Sequence, residues 1–215
     1  TAGKEYATES NNSLVSYCLV ENCINNGNIT NYTVLTGNKL YMGGITAAAH
    51  ANLTACTNNG VVAIQSGTSA SLDSEPNIGG IAGIFSGNIT SCHNNGNIEF
   101  NNSDLGYHFY VGGIAGRSVN ATANRIAIKD CSNSGKLDLR YKCNSGRKPY
   151  AGGIVGYTKS SAGSVDITNA QNSGDIHFEL TGGSTGAQRP MIGGINGSID
   201  KTTDATYKNV VNSAN

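Results

Sequence analysis

Apolar residues in this chain come in short bursts separated by Gly, Asn and Ser, and three kinds of burst recur in fixed order. The first follows an Asn-x-Gly step: Asn28-Ile29-Thr30, Val61-Val62-Ala63-Ile64, Asn97-Ile98-Glu99-Phe100, Lys136-Leu137-Asp138-Leu139 and Asp175-Ile176-His177-Phe178. In the last three, apolar and polar positions alternate, the period-two signature of a strand buried on one face. The second burst is a Gly-Gly-Ile cassette, at Gly43-Gly44-Ile45, Gly79-Gly80-Ile81, Gly112-Gly113-Ile114, Gly152-Gly153-Ile154 and Gly193-Gly194-Ile195. The third precedes the next Asn step: Leu53 to Cys56, Ile89 to Cys92, Ile126-Ala127-Ile128 and Val165-Asp166-Ile167.

The Asn steps themselves are Cys23 to Gly27, Cys56 to Gly60, Cys92 to Gly96, Cys131 to Gly135 and Ala170 to Gly174, with a decayed copy at Val210-Val211-Asn212-Ser213. Their lead residues are 33, 36, 39, 39 and 40 apart. A period of that size, varying only by insertion, marks one supersecondary unit stacked on copies of itself. Three short strands per unit, joined by Gly and Asn turns, predict an all-β fold: a right-handed parallel β-solenoid of about five coils. Residues 1–22 form a lead-in or partial coil, and 23–215 one continuous repeat domain. Asn and Gly are expected at the corners because they accept positive φ, and stacked Asn side chains can bond one another along the column.

Composition supports strands over helices: 29 Gly, 3 Pro, no Trp and 13% charged residues. With 14 basic and 14 acidic residues scattered along the chain, no basic face is concentrated enough to expect nucleic acid. The one local basic group, Arg140, Lys142, Arg147 and Lys148, falls in a long insertion and reads as a solvated loop. No stretch approaches the ~18 apolar residues that crossing a bilayer requires, so direct membrane insertion is not expected. Residues 1–22 lack a cassette and the chain stops within a repeat. Both ends are therefore expected to present open sheet edges, the feature that suggests a longer parent chain or end-to-end self-association.

Cys23, Cys56, Cys92 and Cys131 hold one place in successive repeats, where later copies carry Ala170 and Val210. Replacement by Ala and Val implies a small buried site and free, stacked thiols, with neighbouring Cα atoms about 5 Å apart. Zinc and other metals are not expected, since a column is not a tetrahedral cage. Cys18 and Cys143 lie outside it, and the even total of six leans toward an oxidising compartment.

Candidate chemistry is sparse. Glu99, Asp138 and His177 share an outward column, a conceivable acid/base set for a polysaccharide-degrading β-helix enzyme. The same column holds Thr30 and Ala63, so the expectation is no enzymatic activity, no catalytic residues and no cofactor. The histidines His50, His93, His108 and His177 share no ligand spacing. Two residues before each Gly-Gly stand Tyr41, Asn77, Tyr110, Tyr150 and Met191; Tyr41, Tyr110 and Tyr150 could stack on sugar rings or simply pack. N-glycosylation sequons occur at Asn11, Asn28, Asn31, Asn52, Asn88, Asn101, Asn120 and Asn196, eight against about five expected by chance. Asn52, Asn88 and Asn120 all follow a cassette and precede the third burst, which would give a row of sugars along one edge. Asn196 replaces Ala82, Ala115 or Val155 within the cassette, so a glycan there requires that position to face outward.

The pairing of Gly-Gly-Ile-Ala/Val-Gly with Cys/Ala-x-Asn-Ser/Asn-Gly-x-Ile resembles the GLUG-type repeat, over about Cys23 to Asn215. The first cassette, Gly43-Gly44-Ile45-Thr46-Ala47, departs from the pattern by lacking its closing Gly. The resemblance implies a secreted or cell-surface, adhesin-like or structural array and brings no catalytic residues. Together these features lead to the expectation of an extracellular structural or adhesive glycoprotein, a subunit or segment of a filament. A carbohydrate-binding module that meets a glycan or host surface through its Tyr column is the alternative.

Overall fold

The computed structural model describes residues 18–32, 36–65, 71–105, 108–119, 126–143, 148–159, 164–183, 190–200 and 204–214. It is a parallel β-solenoid in which every described element is a strand and every strand pairing is parallel. Each turn contains five strands rather than the expected three. Six pre-turn strands stack first: Cys18–Glu21, Ala51–Thr54, Ile89–Thr90, Ile126–Lys129, Ser164–Thr168 and Asp204–Lys208. Beside them runs a sheet of two-residue strands, Ile24–Asn25, Thr57–Asn58, His93–Asn94, Ser132–Asn133, Gln171–Asn172 and Val211–Asn212.

The chain then enters the long strands Ile29–Asn31, Val62–Gln65, Ile98–Leu105, Leu137–Cys143 and Ile176–Gly183. A cassette-entry strand follows, ending at each first glycine: Thr36–Gly43, Ser71–Gly79, Phe109–Gly112, Pro149–Gly152 and Met191–Gly193. A cassette-exit strand closes the turn: Thr46–Ala49, Ala82–Phe85, Ala115–Ser118, Val155–Thr158 and Asn196–Ile199. The exit sheet thus has five rungs where the first two sheets have six. Two strands are added: the Asn step, expected as a turn, is itself a short paired strand, and the Gly-Gly pair bends the backbone between two paired segments, splitting what the sequence presents as one apolar patch.

Equivalent letters do form vertical rows. Thr57 N–H donates to Cys23 O at 2.8 Å, His93 N–H to Cys56 O at 2.9 Å and Ser132 N–H to Cys92 O at 3.1 Å. The corner geometry differs from expectation. Positive φ falls one residue before each lead residue, at Asn22, Ala55, Ser91, Asp130, Asn169 and Asn209, all between 51° and 55°. Asn and Asp tolerate that conformation; Ala55 and Ser91 hold it at a steric cost that stacking on their neighbours must offset.

The Asn of the Asn-x-Gly step therefore has another task. Its side chain points inward, and Asn58, Asn94, Asn133 and Asn172 are fully buried. Each donates one Nδ2 hydrogen to the Oδ1 of the next: Asn25 to Asn58 at 2.7 Å, Asn58 to Asn94 at 2.8 Å, Asn94 to Asn133 at 2.7 Å, Asn133 to Asn172 at 2.7 Å and Asn172 to Asn212 at 2.8 Å. The other hydrogen goes to the glycine carbonyl two residues on, as from Asn94 to Gly96 at 2.8 Å. A buried amide is stable only when its donors and acceptor are all engaged, and this ladder engages them.

The second cassette glycine faces the ladder. A Cβ on Gly113 would overlap the Asn133 side chain and the Gly153 carbonyl oxygen, and one on Gly80 would overlap the Asn94 amide. The two motifs thus meet across a waist, each cassette holding the Asn of the following turn. The waist divides the interior. On one side lie Leu53, Ile89, Ile128 and Ile167 with the cysteines and cassette isoleucines; on the other lie Ile64, Phe100, Phe109, Val111, Leu139 and Tyr141.

Removing a middle rung should be costly. Asn133→Ala leaves the Asn94 donor and the Asn172 acceptor unpaired in a dry column, so unfolding in urea should show a loss of about 3 kcal/mol or more. The outward Asn95→Ala should lose less than about 1 kcal/mol. Equal losses would mean that the ladder adds nothing beyond surface polarity.

Candidate functional site

The waist shapes the outer surface as well. On the entry strand Phe109 and Val111 point into one core, so Tyr110 points the other way. On the exit strand Ala82 and Phe85 face the first core, the one that holds the cysteines, and Ile84, Arg117 and Tyr157 share the opposite face in one register row. Because the Gly-Gly bend turns these strands toward each other, the two outward rows pack together in an aromatic cluster.

The expected Tyr column exists in register, Tyr41 beside Asn77, Tyr110, Tyr150 and Met191 in turn. The Tyr110 and Tyr150 rings stack with centroids 5.1 Å apart, and Tyr157 lies 5.3 and 5.0 Å from them. The Arg117 guanidinium sits 5.0 Å from the Tyr110 ring centre and forms an ion pair with Glu75 at 3.3 Å. Tyr157 donates to Asp200 at 3.1 Å, and His108 lies 5.8 Å from Tyr150. Tyr110 is 6% exposed, with one face against Tyr150 and the other toward Arg117, so it serves packing; Tyr41 and Tyr150 are half-buried. Asn77, fully buried in the same column, donates to Glu75 O at 2.8 Å, while its Oδ1 and the Arg117 Nε have no partner among the described residues.

The column was legible from spacing, but Glu75, His108, Arg117, Tyr157 and Asp200 were not singled out. Arg117 and Tyr157 recur at one place in the cassette, three residues after its Ile, which is a readable signal. That they face the tyrosines depends on the fold-back, which is not.

Glu99, Asp138 and His177 stand side by side on the long sheet, continuing Thr30 and Ala63. Asp138 is tied to its surroundings: His177 Nδ1 lies 2.8 Å from Oδ1, Arg140 Nε 3.3 Å from the same oxygen and Lys136 Nζ 3.6 Å from Oδ2. Partial burial alone would raise its carboxyl, but the hydrogen bonds from His177 and Arg140 and the Lys136 charge hold it below the ordinary carboxylate range. An acid held ionised in this way cannot donate a proton near neutral pH. Gln65 Nε2 reaches Glu99 at 3.5 Å, and these residues line a shallow open depression with Asn101.

The thiols of Cys56, Cys92 and Cys131 are buried in the first core, Cys23 is half-buried and Cys18 is exposed; all five are free. Each column thiol donates to the carbonyl two residues back, Cys92 to Thr90 at 3.3 Å and Cys131 to Lys129 at 3.2 Å. Burial pushes the Cys56 thiol up.

Among the sequons, Asn28 and Asn88 are exposed and use Oδ1 as acceptor, from Val61 N–H and Ala127 N–H, both at 2.9 Å. Asn52 does the same for Asn88 N–H at 2.9 Å. Asn101 is exposed on the long sheet and Asn31 half-buried beside Ile64. Asn196 lies in the inward row of Ala82, Ala115 and Val155, with Nδ2 donated to Thr158 Oγ1 at 3.0 Å and to the Tyr207 hydroxyl. Asn11 and Asn120 lie outside the described residues, as do residues 1–17 of the lead-in and Arg147 of the basic group.

Comparison with protein-family models, with curated proteins and with solved structures returns no match for this chain.

The aromatic cluster makes a pH prediction. Burial, then the Asp200 carboxylate, pushes the Tyr157 hydroxyl up to about 12, and burial raises Tyr110 further still. A folded pKa raised above the unfolded value near 10 means that these groups stabilise the fold fully below pH ~10 and lose that contribution as pH climbs toward the folded value. Tyrosinate absorbance should therefore show a fraction of the rings titrating late, and Tyr157→Phe should remove part of that late fraction. Titration of every ring near pH 10 in the folded protein would contradict the burial of this cluster.

Proposed function

We propose that this chain is an extracellular structural or adhesive scaffold, secreted or held at a cell surface. On this reading it is a β-solenoid glycosylated along its outer rows and able to form part of an end-to-end filament. The observation that carries the reading is the regularity of the outer surface. Asn59 donates to Asn26 at 2.8 Å, Asn95 to Asn59 at 2.9 Å and Ser134 to Asn95 at 3.0 Å, one outward row in which each turn repeats the last. Such a surface offers many weak equivalent contacts, the basis of avidity, and not one shaped pocket. The GLUG-type motif supports the same reading by resemblance.

Asn28, Asn52 and Asn88 use Oδ1 for these backbone bonds and not Nδ2, the atom that carries an N-glycan, which supports sugars at these positions. Expressed through a eukaryotic secretory pathway, the protein should lose mass on enzymatic deglycosylation. Site mapping should place sugar on Asn28 or Asn88 and none on Asn196, whose amide is engaged inside. Negative-stain imaging at high concentration should show rods several solenoids long; an unglycosylated product that stays a compact monomer would sink the proposal.

A second reading, a carbohydrate-binding surface, is favoured by the half-buried rings of Tyr41 and Tyr150 beside Arg117, Glu75 and Asp200. Tyr41→Ala with Tyr150→Ala should then abolish glycan-array binding while the fold persists, and unchanged binding removes it.

A further inference from the structure

We propose that the thiol column is an oxidation site, in which Cys23 bonds to Cys56 and Cys92 to Cys131 as two disulfides between neighbouring turns. The four residues follow one another along a single inward row, tied turn to turn by the backbone bonds that leave each cysteine carbonyl. Adjacent parallel strands set equivalent Cα atoms about 4.8 Å apart. That lies within the roughly 4.4–6.8 Å that disulfides span. The thiols influence one another all along the row, Cys23 with Cys56, Cys56 with Cys92 and Cys92 with Cys131.

Pairing follows from the line itself. A thiol in a column reaches only the one above or below, so four are all consumed in a single way, first with second and third with fourth. Joining Cys56 to Cys92 would strand both outer thiols. The row continues as Ala170 and Val210, so no fifth thiol competes on that side. Cys18 is exposed on the strand before the column and does not belong to the row.

The route also follows from geometry. Of the four, Cys23 is half-buried, while Cys56, Cys92 and Cys131 are at most 1% exposed. The Cys23 thiolate attacks one sulfur of a small disulfide such as oxidised glutathione and expels the first glutathione thiolate. Cys56 then attacks the Cys23 sulfur of that mixed disulfide and expels the second. Two thiols have lost two electrons and two protons, and the oxidant has become two thiols.

The bond can move inward because thiol exchange proceeds in line, with attacking, central and leaving sulfurs on one axis, and the column supplies that axis. Cys92 attacks Cys56 and releases Cys23; Cys131 attacks Cys92 and releases Cys56. A second molecule of oxidant then closes Cys23 to Cys56 again. The hydrogen bond from Cys131 favours the thiolate of Cys92, bringing it to about 7, and pushes Cys131 itself well up. The inner attacking group is thus a competent nucleophile near neutral pH.

The test uses the folded protein and oxidised glutathione, read by intact mass after alkylation and by non-reducing peptide mapping. With any alkyl or glutathione mass on Cys18 and Cys143 subtracted, the expected product is about 4 Da lighter than the reduced, unalkylated chain, for two disulfides, with peptides joined Cys23 to Cys56 and Cys92 to Cys131. Cys131→Ala, which copies the natural Ala170 of the same row, should lose only about 2 Da. Cys23→Ala should slow oxidation of Cys92 and Cys131 by at least about tenfold, because the one half-buried thiol of the row, through which the oxidant enters, is gone. Stable glutathione adducts on the column would overturn the proposal. So would cross-links from Cys18 or Cys143 to it, or an unchanged folded mass where the urea-unfolded chain oxidises.

Discussion

A fully buried primary amide is expensive unless both hydrogens and the oxygen find partners, and that constraint organises this fold. Along the axis, each Asn of the ladder meets the next only if turns stack in strict register. Across the interior, room for the amide exists only where the opposing backbone carries no side chain, which fixes glycine at Gly80, Gly113 and Gly153. The Asn-x-Gly step and the Gly-Gly-Ile cassette are therefore two halves of one contact. Their joint recurrence reflects a contact made once per turn.

The waist has a consequence outside. Drawing the cassette backbone inward to meet the ladder folds the entry and exit strands toward each other, so side chains on their outer faces are half enclosed. This enclosure explains how Tyr110 can lie on an outward row and still be 6% exposed, and why Arg117 can stack on it while pairing with Glu75. Cation–π contact and ion pairing both strengthen when water is partly excluded. The aromatic cluster owes its properties to the ladder on the far side of the backbone.

The period, the parallel stacking and the vertical rows of Cys, Asn and Tyr were legible in the sequence, because a solenoid turns linear spacing directly into neighbourhood. Even the alignment of Glu99, Asp138 and His177 could be read from counting. What could not be read depends on the path within a turn. Positive φ was assigned to the Asn-x-Gly corner, where residue preference points. The chain instead places it one residue before the thiol column, where at Ala55 and Ser91 preference is overridden by stacking. Five strands replace three because the Asn step pairs as a short strand where residue preference points to a turn, and because a Gly-Gly pair can signal a turn or a bend between two paired segments, which only the facing ladder decides. Arg117 and Tyr157 stayed unremarked for the same reason: their rows were countable, but their meeting with the tyrosines required the fold-back.

The row of Ala82, Ala115 and Val155 shows how strictly the interior enforces these pairings when the sequence departs from them. At Asn196, half-buried in the last turn, that apolar row receives an amide, a change that would leave polar atoms short of partners against a core of Ile and Cys. In the same part of the core, the row of Leu53, Ile89, Ile128 and Ile167 receives Tyr207. The two substitutions meet: Asn196 donates to the Tyr207 hydroxyl and to Thr158 Oγ1, and its Oδ1 accepts from Ser198 N–H at 3.1 Å. Either change alone would cost the desolvation of an unpaired group; together they form a closed hydrogen-bonded set. The rule that governs the ladder thus governs its exceptions, and a sequon whose amide completes such a set is an interior structural residue before it is anything else.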